Sequence, residues 1–99
     1  MTDRTSYRRE VSPNPELKCV ALVSGTTVSG GADTLTLTLA DYGISKVLAV
    51  QGFVHTTEDS VIINSESITT AVSSGVLTVS LEDNNNYTNK KRVILVYGE

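Results

Sequence analysis

His55, Asp59 and Ser60 come nearest to a catalytic set in this chain. In Phe53-Val54-His55-Thr56-Thr57-Glu58-Asp59-Ser60, an imidazole oriented by Asp59 could draw the hydroxyl proton from Ser60 and make it a nucleophile. The spacing matches no catalytic motif, and a strand running into a turn reads more simply as carrying a surface histidine. His55 is the single histidine and Cys19 the single cysteine, fewer than a tetrahedral zinc site requires. Cys19 stands inside the apolar run Lys18-Cys19-Val20-Ala21-Leu22-Val23, where a buried, inert thiol is expected. Glu82-Asp83-Asn84-Asn85-Asn86 offers oxygen ligands but lacks the glycine and closing glutamate of an EF-hand loop, so it reads as an Asn-rich connection between strands. Gly30-Gly31 is followed by nothing helical and is a turn rather than a phosphate loop. These residues assign no catalytic, cofactor-binding or metal-binding role, and the chain is expected not to be an enzyme. Tyr42 and Tyr87 lie in comparable loops and are the candidates for a flat aromatic platform that would bind a sugar.

The whole-chain properties narrow the partners. Ninety-nine residues make one domain with one core, and a formal net charge of −3 argues against binding duplex nucleic acid by phosphate neutralisation. The basic residues cluster twice, as Arg4, Arg8 and Arg9 in a solvated tail and as Lys90-Lys91-Arg92 at a charged strand entry. A single cysteine rules out an intrachain disulfide. The N-terminus is charged from Asp3 onward, unlike a signal peptide, and no apolar run reaches the length of a membrane span, so neither Sec-type export nor a membrane is expected.

The elements that must position these residues are strands. Thr34-Leu35-Thr36-Leu37-Thr38-Leu39 alternates with period two, a pattern no helix produces. Strands are expected at 17–23, 26–29, 34–39, 46–56, 60–64, 68–72, 76–81 and 91–97. Gly25, Gly30-Gly31, Glu58-Asp59 and Ser73-Ser74-Gly75 supply the bends. The expected fold is therefore all-β: one small antiparallel sandwich of about eight strands, jelly-roll or Greek-key-like. It spans residues 17–99 and is preceded by an extended polar arm, residues 1–16, whose Pro13 and Pro15 favour open backbone. That arm is expected to be disordered or laid on another surface.

Two further patterns bear on assembly. Residues 35–42 followed by 46–52 echo 77–83 followed by 92–98, each unit a strand, an acidic turn, a basic residue and an apolar strand; duplication or a shared hairpin grammar would both produce this. The second strand of each unit is apolar on both faces, as in Val93, Leu95 and Tyr97 alternating with Ile94 and Val96. Such a strand needs a cover beyond the core, supplied by the arm or by a neighbouring subunit.

A short acidic all-β chain with a proline-containing arm and the closing strand Arg92-Val93-Ile94-Leu95-Val96-Tyr97-Gly98-Glu99 resembles, chiefly over residues 17–99, the small virion proteins of tailed bacteriophages. Among these it is most similar to capsid decoration, or cement, proteins. The resemblance implies a structural protein that binds the capsid exterior as a dimer or trimer and ties the major capsid protein subunits of the same virus together. It also implies a place on the virion after assembly in the host cytoplasm. Arg4, Tyr7, Arg8, Arg9, Pro13 and Pro15 are then the shell-contacting candidates, and deletion of residues 2–12 is expected to abolish binding without lowering thermal stability. The alternative is a ligand- or glycan-binding sandwich, such as a tail-tip or fibre domain, that uses Tyr42 and Tyr87.

Overall fold

Thr34-Leu35-Thr36-Leu37 does form a strand, one of nine that the computed structural model places among its described residues, 2–12, 17–26, 33–55, 63–81 and 90–99. In chain order these are β1 (Thr2–Asp3), β2 (Thr5–Ser12), β3 (Lys18–Thr26), β4 (Asp33–Thr38), β5 (Val47–His55), β6 (Ile63–Glu66), β7 (Ile68–Ser73), β8 (Val76–Leu81) and β9 (Lys91–Gly98), with a 3-10 turn over Leu39–Tyr42. They make a sandwich of two sheets, ordered β1-β4-β8-β7 and β2-β3-β9-β5-β6. All pairings are antiparallel except β1 with β4. The expected strands at 34–39, 68–72, 76–81 and 91–97 recur almost residue for residue. Two details differ. Gly25 does not end a strand: β3 runs on to Thr26 through a register shift after Val23, an irregularity that glycine accommodates. Residues 27–29 and 60–62, Gly30-Gly31 and Glu58-Asp59 lie outside the described residues.

Alternation chooses the core. Val20 and Leu22 of β3, Ile94 and Val96 of β9, Leu35 and Leu37 of β4, and Leu77, Val79 and Leu81 of β8 meet between the sheets, all nearly or wholly buried. Each such side chain removed from water stabilises the fold by roughly 1.5–3 kcal/mol. Leu39 departs from the sheet yet stays buried, because the chain turns there to cross to the other sheet. Its N–H donates to the Gly75 carbonyl, and its own carbonyl accepts from Ile44 N–H. Strand β5 carries a register shift between Val47 and Ala49, so Val47 and Val50 both pack on the core and Leu48 is exposed, where unbroken alternation would have put Leu48 with Val50. Arg92, expected at a charged strand entry, is instead wholly buried at an inward position of β9. Its N–H donates to Ser24 Oγ and its Nη1 donates to the Lys90 carbonyl.

The two echoed units are neighbours in space. Their first strands, β4 and β8, pair with Thr36 opposite Thr78; their second strands, β5 and β9, pair with Val50 opposite Val96. Each of these residues is the echo of its partner, and the flanking pairs follow suit: Leu35 faces Val79 as Leu37 faces Leu77, and Ala49 faces Tyr97 as Gln51 faces Leu95. The repeat is thus a local two-fold relation at the centre of both sheets.

The N-terminal stretch is extended, as its composition suggests, but its described part lies within the sheets. β1 adds to the edge of β4, the chain crosses at Arg4, whose N–H donates to the Thr34 carbonyl, and β2 then pairs with β3 from Thr5↔Ser24 to Ser12↔Cys19. Unpaired edges on β3 and β4 offer the backbone of residues 2–12 a better set of partners than water does. On the opposite side, β6 and β7 make the matching crossing at Ser67.

Candidate functional site

Arg4 and Arg8, two of the three arginines expected to reach outward, are engaged within the chain. Arg4 Nε donates to Asp33 Oδ1 at 3.1 Å, and Asp33 is 2% exposed. Arg8 Nε donates to the Thr36 carbonyl at 2.6 Å and its Nη2 to Thr36 Oγ1 at 2.9 Å. Between them lies Asp3. Its Oδ1 accepts from the Thr5 N–H at 3.0 Å and the Thr5 hydroxyl at 2.7 Å, and its Oδ2 accepts from the Thr36 hydroxyl at 2.7 Å and lies 3.7 Å from Arg8 Nη2. Thr5 Oγ1 closes the ring by accepting from Thr36 N–H at 2.9 Å. Partial burial pushes the Asp3 carboxyl up, but the donors from Thr36 and Thr5 and the positive charge of Arg8 outweigh it and hold it below its ordinary value. The arrangement is a polar clasp that fastens the N-terminal strands to β4.

Tyr7 and Arg9 point the other way, onto the outer face of the five-stranded sheet. Residues directly opposite in a ladder share a face, so the pairings trace it in rows. One row runs Tyr7, Val23, Val93, Phe53; the next runs Arg9, Ala21, Leu95, Gln51. In a third row, Tyr97 lies between Cys19 and Ala49 and donates its hydroxyl to Gln51 Oε1 at 3.2 Å. Cys19 is 8% exposed; burial pushes its thiol pKa up against a hydrogen bond with Tyr97, which suits the inert role expected of it. This face is apolar although the core lies on the other side of the sheet. The N-terminal strand, one of the two covers the sequence suggested, runs beside it at the sheet edge. At one end Phe53, His55, Ile63 and Val93 line a depression of about 260 Å³.

The other candidates separate. His55 is the last residue of β5, opposite Ile63, and Asp59 and Ser60 lie outside the described residues. Tyr42 ends the 3-10 turn, half-buried and packed against the core, and its carbonyl accepts from Lys18 Nζ. Tyr87, Pro13, Pro15 and the Glu82–Asn86 run lie outside the described residues. Among the described residues no group of three or more His, Cys, Asp and Glu side chains is placed to hold a metal ion. Sequence reasoning missed the clasp, because Asp3, Thr5 and Thr36 carry no motif and meet only through the β1–β4 pairing. It came nearer to the outer face, whose signal was the two-sided apolarity of β9.

Comparison with protein-family models, with curated proteins and with solved structures finds no match to this chain.

Proposed function

We propose that this protein is a non-enzymatic structural component that works by seating the outer face of its five-stranded sheet against a larger protein assembly, and that the assembly is a viral capsid shell which it decorates. The observation that carries the reading is that face itself. Val93, Leu95 and Phe53, each partly exposed, line the side of the sheet away from its core beside the buried Val23, rimmed by Tyr7 and Arg9. An apolar centre with an aromatic and an arginine at its border is the make-up of a protein-binding patch. The clasped N-terminal strands support the same reading, since a rigid sandwich loses little conformational entropy on docking. Repeated attachment over a symmetric shell would turn modest single contacts into firm binding. Tyr7 and Arg9 keep their proposed contact role at the rim, while Arg4 and Arg8 serve by holding β2 in place.

Co-sedimentation of the purified protein with undecorated mature shells of the virus proposed to carry it tests this, read as copies per shell. Saturable binding at a stoichiometry set by a symmetry axis, lost at least tenfold in a folded Leu95→Lys variant, is expected. Absence of binding by the native protein would sink the capsid assignment, and equal binding by the variant would sink the role of this face.

A further inference from the structure

The sheet edges among the described strands are unequally guarded. β2 carries Arg8, Arg9 and Glu10 and two register shifts; β6 has four residues; β1 has two residues. Charge, irregularity and brevity are the devices by which a sheet avoids pairing with another chain. β7, Ile68-Thr69-Thr70-Ala71-Val72-Ser73, has none of them. Its six residues contain no charge and no proline, pair with β8 in unbroken register from Ile68↔Leu81 to Ser73↔Val76, and are exposed from Thr69 onward, Val72 to 54%.

The hairpin fixes which backbone groups face outward. Ser74 and Gly75 have φ of 52° and 78°, the two left-handed residues of a type I′ turn. Ser73 and Val76 therefore form a hydrogen-bonded pair, Ala71 and Thr69 bond β8 in the same way, and Ile68, Thr70 and Val72 turn their N–H and C=O groups to the open edge.

We propose that β7 pairs with itself: two copies of the chain associate antiparallel about a two-fold axis at Thr70, joining their four-stranded sheets into one continuous eight-stranded sheet. In that register Thr70 meets Thr70 and Ile68 meets Val72 of the second copy, so every outward backbone group finds a partner. Ile68 and Val72 stand opposite the buried Leu81 and Leu77 and so share the inner face. Pairing covers the exposed Val72 with an isoleucine, a favourable β-branched match. A second copy is the occupant because the edge is self-complementary and carries no charge to select a charged peptide, and the two-fold closes the assembly at a dimer. The proposal is independent of the capsid assignment, and the outer face of the five-stranded sheet stays free in the dimer.

Sedimentation equilibrium up to millimolar protein, combined with residue-resolved amide exchange, tests it on the native chain and on Val72→Lys and Thr70→Pro. Lysine at an exposed position and proline at an outward-facing N–H both leave the internal ladder intact. A native dimer with protected Ile68, Thr70 and Val72 amides is expected, and loss of both the dimer and the protection of the remaining edge amides in a folded variant. A native protein that stays monomeric overturns the proposal, as does a dimer in which the Thr70 amide exchanges freely or which survives in both variants.

Discussion

Asp3 shows how much one side chain can organise. It joins Thr5, Thr36 and Arg8, residues up to 33 positions away in the chain, into one polar ring at the seam between the sheets. Because its carboxyl is held below the ordinary value of 3.8, the clasp's contribution to stability is fully present above that pH and is lost as pH falls through the lower folded-state value. An acid titration followed by NMR should therefore show the Thr5 and Thr36 amides losing protection only below pH 3.8 and before the core strands unfold, and Asp3→Asn should flatten this acid limb. Arg92 makes a different point. A buried guanidinium at an inward strand position is costly unless hydrogen-bonded, and its Nη1 bond to the Lys90 carbonyl and the Ser24 bond to its N–H tie the start of β9 to β3. No local pattern distinguishes it from the lysines beside it.

At the scale of elements, turns and close approaches set the register that the strands then obey. Gly75 at φ 78° closes the β7–β8 hairpin with open space around its Cα, so an added methyl meets no atom and acts only through backbone strain. Gly75→Ala should cost about 1 kcal/mol, a fall of roughly 4–8 °C in Tm for a domain of this size; an unchanged melting curve would mean that the turn is not type I′. Gly98 differs, because a Cβ there would come within 2.6 Å of Ile44 Cγ2 and 2.7 Å of the Lys46 carbonyl. The end of β9 needs that closeness, since Glu99 exchanges backbone hydrogen bonds with Lys46 and closes the sandwich beside the 3-10 turn. The echoed units likewise gain meaning only as pairs of strands. Their shared pattern places β4 beside β8 and β5 beside β9, a crossing of both sheets from which the other strands extend.

For the whole molecule, the N-terminal strands are part of the architecture. Deleting residues 2–12 removes β2 from β3 and the clasp from β4, so at least about 2 kcal/mol of stability and roughly 8 °C or more in Tm should be lost; a truncated protein that melts like the native one would contradict this placement. The sequence-based expectation of unaltered stability treated a polar, proline-punctuated stretch as free, because nothing in its own residues names the edge that accepts it. The sandwich itself was legible: Leu35-Thr36-Leu37, Val76–Leu81 and Lys91–Gly98 declare strands by period-two alternation, which is local and written residue by residue. So were the echo and the surplus apolar face of β9. Only the tertiary structure decided that Asp3 meets Thr36, that Arg92 faces inward, that a shifted register at Leu48 reverses the faces of early β5, and that Phe53, Val93 and Leu95 share the outer face of one sheet. The reason is physical. Alternation fixes that a strand has two faces, but which strands become neighbours and which edge stays open is settled by competition among long-range pairings with nearly the same pattern.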